Sequence, residues 1–223
     1  FLECEDKGGF FEMIKNGEVQ KAVKATAANR LKNVSSRREI LLGTNQFPNF
    51  TETASQKVEP NANKSCGCGS GESAGGVETL PVVRGAEEFE ALRFGTEAGK
   101  TPKAFMLTIG SLAMRLARAQ FSSNFFACAG YEIIDNLGFK TVEEGVKEAF
   151  DKKADVVILC SSDEEYVEFA PQAYELLKDK AVLVVAGAPE SMEELKSKGI
   201  QHFINVKSNV LETLKGFNAV LVK

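Results

Sequence analysis

Tryptophan is absent from the 223 residues, tyrosine occurs three times and histidine once, whereas phenylalanine occurs 16 times. This imbalance indicates aromatic side chains that pack in a core, with little to offer for stacking sugars or nucleobases. No apolar run approaches the ~18 residues that cross a bilayer, so we expect no membrane-spanning segment. The 27 Lys and Arg residues against 31 Asp and Glu residues give a net charge of −4. A mildly acidic chain without basic blocks is not typical of nucleic-acid binding.

The cysteines are few and irregularly spaced, at positions 4, 66, 68, 128 and 160. Their odd number and the lack of a signal peptide argue against a disulfide framework and favour the reducing cytoplasm. Cys66 and Cys68 could hold a soft metal, but a closed zinc site needs four ligands and no second pair is available. We therefore predict no metal site. The chain opens at Phe1 in mid-pattern, which is typical of a piece of a longer protein.

The composition divides the chain into four stretches. Residues 1–47 carry apolar positions at helical spacing, and Ile40-Leu41-Leu42-Gly43 predicts a short strand. About half of residues 48–78 are Gly, Ser, Asn, Pro or Thr, which predicts a flexible, exposed linker. Residues 79–100 form a lead-in segment, and residues 101–223 form a regular domain.

That domain alternates apolar runs of strand length with helical patterns. The strands are predicted near residues 104–109, 131–134, 156–160, 181–186 and 201–205. A βα repeat of about 25 residues requires a parallel sheet with helices on both faces. Five units are too few for an eight-stranded barrel, so we predict an open flavodoxin-like α/β sheet of order 2-1-3-4-5.

In such sheets ligands bind at the carboxyl ends of the strands, where the strand order reverses. The first loop there is not G-x-G-x-x-G, which argues against a dinucleotide, and no acidic pair suits a phosphorylated receiver domain. Ser161, Ser162 and Gly187 would leave room for a flat ligand, without any nucleophile, base or metal ligand beside them. We interpret the acidic run 163–165 as solvated charge at a helix start, and His202 as a packed histidine.

Several segments carry a resemblance to a known family. Residues 101–139 and onward resemble the carboxy-terminal cobalamin-binding domain of acyl-CoA mutases, and residues 87–93 resemble the lead-in to that domain. Residues 1–47, with Gly8-Gly9-Phe10 and residues 37–45, resemble the end of the preceding (β/α)₈ barrel. The stretch 116–127 is most similar to the small subunits of the methylmalonyl-CoA mutase family.

The first loop departs from the family's pattern. Cobalamin-binding members carry Asp-x-His-x-x-Gly there, in which the histidine binds cobalt from below and the aspartate orients it. Counting four residues past Gly110 places Met114 at the His position, Leu112 at the Asp position and Ala117 at the Gly position. The resemblance therefore implies a vestigial groove, consisting of Gly110, Leu112, Met114, Ala117, Ser161, Ser162 and Gly187, that binds no cofactor.

The resemblance implies a heterodimer in which a large subunit holds adenosylcobalamin and interconverts methylmalonyl-CoA and succinyl-CoA. This chain would be the partner without catalytic residues. Two alternatives stay open: a free-standing module that binds a corrinoid or another small ligand, and a phosphate- or nucleotide-binding flavodoxin-like domain. We further expect a helix to begin near Ser111, acting as its N-cap, and the side chains of Leu112, Met114 and Leu116 to close the groove against Ser161.

Overall fold

A computed structural model describes residues 1–56, 77–80, 83–178 and 180–222. Within these residues a five-stranded, all-parallel sheet has the order β2-β1-β3-β4-β5, as predicted. The strands are β1 (Lys103–Thr108), β2 (Glu132–Ile134), β3 (Val156–Cys160), β4 (Val182–Ala186) and β5 (His202–Ile204). The central strands β1 and β3 are in register from Ala104 opposite Val156 to Thr108 opposite Cys160.

Helices alternate with the strands. The described helices are α1 (Leu2–Asp6), α2 (Phe10–Lys15), α3 (Glu18–Ser35), α4 (Glu87–Ala98), α5 (Leu112–Ala127), α6 (Val142–Asp151), α7 (Tyr166–Leu177), α8 (Met192–Ser197) and α9 (Val210–Leu221). The helix α6 begins at an N-cap, since the Thr141 side chain accepts a hydrogen bond from the Glu144 amide. None of the helices in the described residues combines the length and apolarity needed to cross a bilayer.

Side chains that alternate along β1 and β3 build two cores. Ala104, Met106, Val156 and Ile158 face one side of the sheet, where α4, α5 and α9 pack. Phe105, Leu107, Val157 and Leu159 face the other side, where α6, α7 and α8 pack. Each of the larger side chains in these sets contributes about 1.5–3 kcal/mol, which stabilises the sheet that carries the loops.

The predicted strand at 40–43 is wrong. Residues Leu42 and Gln46 form only an isolated bridge around a turn, in which Gly43 has φ +81°. The buried Asn45 side chain explains this turn, because its amide donates to the Val34 and Glu39 carbonyls and its oxygen accepts from the Leu41 amide. A polar side chain thus satisfies backbone groups that would otherwise need a strand partner.

The described part of the 48–78 stretch contacts α4. The Arg93 guanidinium donates to the Glu52 carbonyl at 2.6 Å, and the Ala54 and Ser55 amides donate to the Glu97 carboxylate at 2.7 and 2.9 Å. Burial alone would raise the pKa of Glu97, but these hydrogen bonds from the two amides stabilise the charged carboxylate and lower that pKa. Residues 52–55 therefore lie against α4. Cys66 and Cys68 lie outside the described residues, and the boundaries at 47, 78 and 100 stay predictions.

Candidate functional site

The loops after β1 and β3 meet at the carboxyl edge of the sheet, where the strand order reverses. The Ser161 hydroxyl, directly after β3, lies 2.9 Å from the carbonyl oxygen of Ile109, directly after β1. Gly187 follows β4 on the same edge, and its amide donates to the Ile204 carbonyl of β5 at 2.8 Å. The fold thus brings together Gly110, Ser161, Ser162 and Gly187, as their positions after three strands indicated.

A carboxylate fills the space between the first and third loops. The Oε2 atom of Glu165 lies 2.5 Å from the Ser161 hydroxyl, 2.8 Å from the Ser162 hydroxyl, 3.1 Å from the Ser162 amide and 3.3 Å from the Ser111 amide. We call these four residues, Ser111, Ser161, Ser162 and Glu165, the Glu165 cluster. A carboxylate held by several donors is stabilised in its charged form. The Ser161 hydroxyl, followed by the Ser162 and Ser111 donors, therefore lowers the pKa of Glu165 to about 2.

Gly110 makes this approach possible. Its φ is +77°, a region that L-residues rarely adopt, and a Cβ placed on it would lie within 2.5 Å of the Glu165 carboxyl carbon. Glu165 stands at the start of α7 as expected, at the N-cap position and partly exposed, but its carboxylate is also bound by donors of the β1 and β3 loops.

An ion pair covers the neighbouring gap between β3 and β4. The Arg118 Nη2 atom lies 3.0 and 3.1 Å from the two carboxylate oxygens of Asp163. A Cβ placed on Gly187 would lie 2.8 Å from the Asp163 carboxylate and 3.3 Å from the Arg118 guanidinium. Beside this pair, a surface cavity of about 410 Å³ is lined by Arg118, Asp163, Ala188 and residues 205–208. Charged side chains of the chain itself thus occupy the space next to both glycines.

The first loop is short because α5 begins at Leu112, with Ser111 at the N-cap position as predicted. The Ser111 side chain makes no capping hydrogen bond, however, and the amide at this position donates to Glu165. Leu112, Met114 and Leu116 are 60%, 37% and 51% exposed, so the expectation that they close the groove is wrong. The physical reason is that the buried residues of α5 begin only at Ala119, and its first two turns make few core contacts.

Arg115 joins the first two loops of the edge. Its guanidinium donates to the Gly110 carbonyl and to the Leu137 carbonyl, both at 3.3 Å. In the loop after β2, the Asn136 side chain bonds to the Thr108 hydroxyl and to the Met106 carbonyl. Polar contacts therefore hold the loops after β1, β2 and β3 to one another.

Comparisons with known proteins decide the family. Residues 1–66 match the family described as methylmalonyl-CoA mutase. The chain is 57% identical over 220 residues to the methylmalonyl-CoA mutase small subunit of Porphyromonas gingivalis, which covers 98% of this chain and 35% of that protein. It is 32% identical over 190 residues to the small subunit from Streptomyces virginiae, which covers 83% of this chain and 29% of that one. The chain belongs to the methylmalonyl-CoA mutase family.

Within the methylmalonyl-CoA mutase family, the similarity lies with proteins named small subunits, as the residues had indicated. The small subunit from Propionibacterium freudenreichii subsp. shermanii is 27% identical over 180 residues, 80% of this chain and 26% of that protein. The chain spans about a third of the length of the curated relatives it matches.

The imidazole of this chain lies away from the loops at the carboxyl edge. The chain's one histidine, His202, opens β5 opposite Val184 in the middle of β4. It packs against Phe217 with ring centroids 5.3 Å apart, and burial lowers its pKa. Among the described residues no group of three His, Cys, Asp or Glu side chains could hold a metal ion.

Of the thiols in the part of the chain that the structure describes, the one beside this edge is also unsuited to chemistry. Cys160 ends β3 and is fully buried, and burial raises its pKa to about 12. A thiol that stays protonated is a poor nucleophile and a poor metal ligand. Tyr166 is equally buried, and its hydroxyl donates to the Ala186 carbonyl at 2.6 Å and accepts from the Ser161 amide at 3.1 Å. The Cys160 thiol and the Tyr166 hydroxyl are therefore both part of the packed interior of the domain.

Sequence reasoning missed the roles of Arg115, Arg118, Asp163 and Glu165. The acidic run 163–165 was visible, and so was its place after the third strand. Nothing in the pattern distinguished Glu165, which faces the β1 loop, from its exposed neighbour Glu164. The available signal was the combination of Gly110 with Ser161 and Ser162, because small and hydroxyl residues on adjacent loops can surround a carboxylate of the chain as well as a ligand.

Proposed function

We propose that this chain is part of the non-catalytic small subunit of a cytoplasmic, heterodimeric methylmalonyl-CoA mutase. The large subunit of such an enzyme holds adenosylcobalamin and interconverts methylmalonyl-CoA and succinyl-CoA. The names of the relatives, each a methylmalonyl-CoA mutase small subunit, support this proposal. In it, the present domain keeps the cobalamin-binding fold without the cofactor and serves the assembly of the two subunits.

One observation supports the proposal that this chain binds no cofactor. Its own charged side chains occupy the edge of the sheet where a ligand would lie. Glu165 lies beside Gly110, and the Arg118–Asp163 pair lies beside Gly187. At the position that corresponds to the cobalt ligand, Met114 stands on a helix, and its thioether is a weak, soft ligand. Because these residues do not fit the cofactor, we assign no step of the reaction to them.

The test is a titration of the whole chain with hydroxocobalamin, followed by dialysis and an absorption spectrum. We expect no retained corrinoid, and no succinyl-CoA from methylmalonyl-CoA when adenosylcobalamin is added without a large subunit. Stoichiometric corrinoid that is retained by the chain and lost in Met114→Ala, but not in the matched variant Leu116→Ala, would contradict the proposal. It would favour a free-standing corrinoid-binding module instead.

The assembly role has its own test. The chain, extended to the full length of its relatives and co-expressed with a large subunit, should elute with it in size-exclusion chromatography at a 1:1 ratio. Elution of the two chains as separate peaks would contradict the heterodimer while leaving the titration result unchanged.

A further inference from the structure

We propose that the side chain of Glu165 occupies the ligand groove of its own chain and holds together the two loops on which a ligand would otherwise lie. This inference deepens the proposed function, since it names the residue that closes the groove. It concerns only side chains of this chain, and it predicts what the groove would accept once Glu165 is removed: a small carboxylate.

The first argument is the convergence of donors on one atom. Two backbone amides and two hydroxyls, all from described residues, lie within 3.3 Å of the same Glu165 oxygen. The donors come from different loops: Ser111 follows β1, whereas Ser161 and Ser162 follow β3. A helix that needed only a local N-cap would use a donor in its own first turn. Glu165 instead joins the loops of two adjacent strands.

The second argument is the space that the carboxylate fills. It lies so close to Gly110 that no other residue could occupy that position without displacing it. The Ser161 hydroxyl, fully buried, lies near both the carboxylate and the Ile109 carbonyl. Without Glu165, the Ser111 and Ser162 amides would lose their shared acceptor, and a donor that loses a charged acceptor costs free energy. The groove is thus closed from within by a charge that satisfies its donors.

The third argument is that different charged residues of the chain occupy the space beside the neighbouring Gly187. The Arg118–Asp163 pair lies against Gly187, as Glu165 lies against Gly110. Two independent contacts therefore fill two adjacent gaps of one edge, while the apolar side chains Leu112 and Met114 stay exposed outside it. Charged side chains of the chain itself, and not apolar side chains, therefore fill the space between the loops at this edge of the sheet.

The experiment is a chemical rescue of Glu165→Ala with formate, read by amide hydrogen exchange at Ser111 and Ser162. We expect exchange at both amides to accelerate at least about tenfold, because each loses a charged acceptor. Sodium formate at 100 mM should restore most of that protection, since its carboxylate fits the vacated space. Sodium chloride at the same concentration should not. Glu164→Ala, which removes an exposed carboxylate from the same turn, is the matched control and should show neither effect.

Two outcomes would overturn the inference: unchanged exchange at both amides in Glu165→Ala, or accelerated exchange that formate and chloride affect equally. If Glu165→Ala does not fold, Glu165→Gln replaces it. The glutamine keeps the shape but not the charge, so exchange should rise several-fold without any response to formate, and unchanged exchange would again overturn the inference. No cobalamin enters this experiment, so its failure leaves the corrinoid titration to decide the proposed function.

Discussion

The depressed pKa of Glu165 makes the folding stability of this chain depend on pH in a defined window. The folded pKa of about 2 lies below the ordinary value of 4.5, with the Ser161 hydroxyl as the largest cause. A group of this kind stabilises the fold fully above its unfolded pKa and loses that contribution as the pH falls through its folded pKa. The window therefore runs from about pH 4.5 down to about pH 2.

The size of the effect follows from the same two values. The interval from 4.5 to about 2, at about 1.36 kcal/mol for each pKa unit, sets an upper bound of roughly 3 kcal/mol. Because the Glu165 carboxylate is partly exposed, solvent screening reduces this bound, and we expect about 1–2 kcal/mol. By pH 3.5 the unfolded chain has taken up most of the proton while the folded chain has not, so about two-fifths of the contribution should be lost.

The perturbation is Glu165→Gln, and Glu164→Gln is its control, with the same change in net charge on the same turn. Urea unfolding followed by circular dichroism suits a chain without tryptophan. At pH 7 Glu165→Gln should unfold at lower urea with an unchanged slope, and Glu164→Gln should stay within about 0.5 kcal/mol of the wild type. A deficit for Glu165→Gln that equals that of the control, or that grows between pH 7 and pH 3.5, would refute the reasoning.

Two further predictions concern packing around the sheet and use the same urea assay. Gly145→Ala should destabilise the fold by about 1–3 kcal/mol, since its Cβ would overlap the Leu107 side chain. Gly216→Ala faces open space in a helix and should stabilise the fold by up to about 1 kcal/mol. Stability changes of the same sign in the two variants would contradict this. Tyr166→Phe leaves two buried backbone groups unpaired and should lower the stability by about 2 kcal/mol. The control is Tyr174→Phe, at a tyrosine that is 38% exposed, and it should lower the stability by less than about 0.5 kcal/mol. Equal losses in the two variants would show that the buried hydroxyl contributes nothing.

The sheet could be predicted from the sequence because the apolar runs that form its strands recur at a regular spacing. Apolar runs such as 156–160 repeat at one spacing and alternate with helical patterns, which leaves few topologies open. The same local reasoning placed the start of α5 next to Ser111. These features depend on neighbours in the chain, which a sequence displays directly.

Features that depend on distant neighbours were mispredicted. The strand at 40–43 was replaced by a turn because Asn45 bonds to three backbone groups, two of them before residue 40. The apolar start of α5 was expected to pack, but burial needs a surface opposite it, and Leu112 has none among the described residues that covers it. The contact of Glu165 with the β1 loop was not expected, because its donor there is 54 residues away along the chain.

The helical start of α5 leads to a last prediction, that introducing a histidine alone does not create cobalt binding. Residues two apart on a helix point about 200° away from each other, so an aspartate at Leu112 could not orient a histidine at Met114. The motif works only where this stretch is a loop, and here α5 already runs through Ala117, with Glu165 bound at its first turn. Met114→His should therefore bind hydroxocobalamin no more tightly than Gln120→His, an exposed control on the same helix, when the shift of the corrinoid absorption spectrum is titrated. Adding Leu112→Asp should not improve it. Tighter, stoichiometric binding by Met114→His than by the control would show that the edge opens to the cofactor despite its internal contacts.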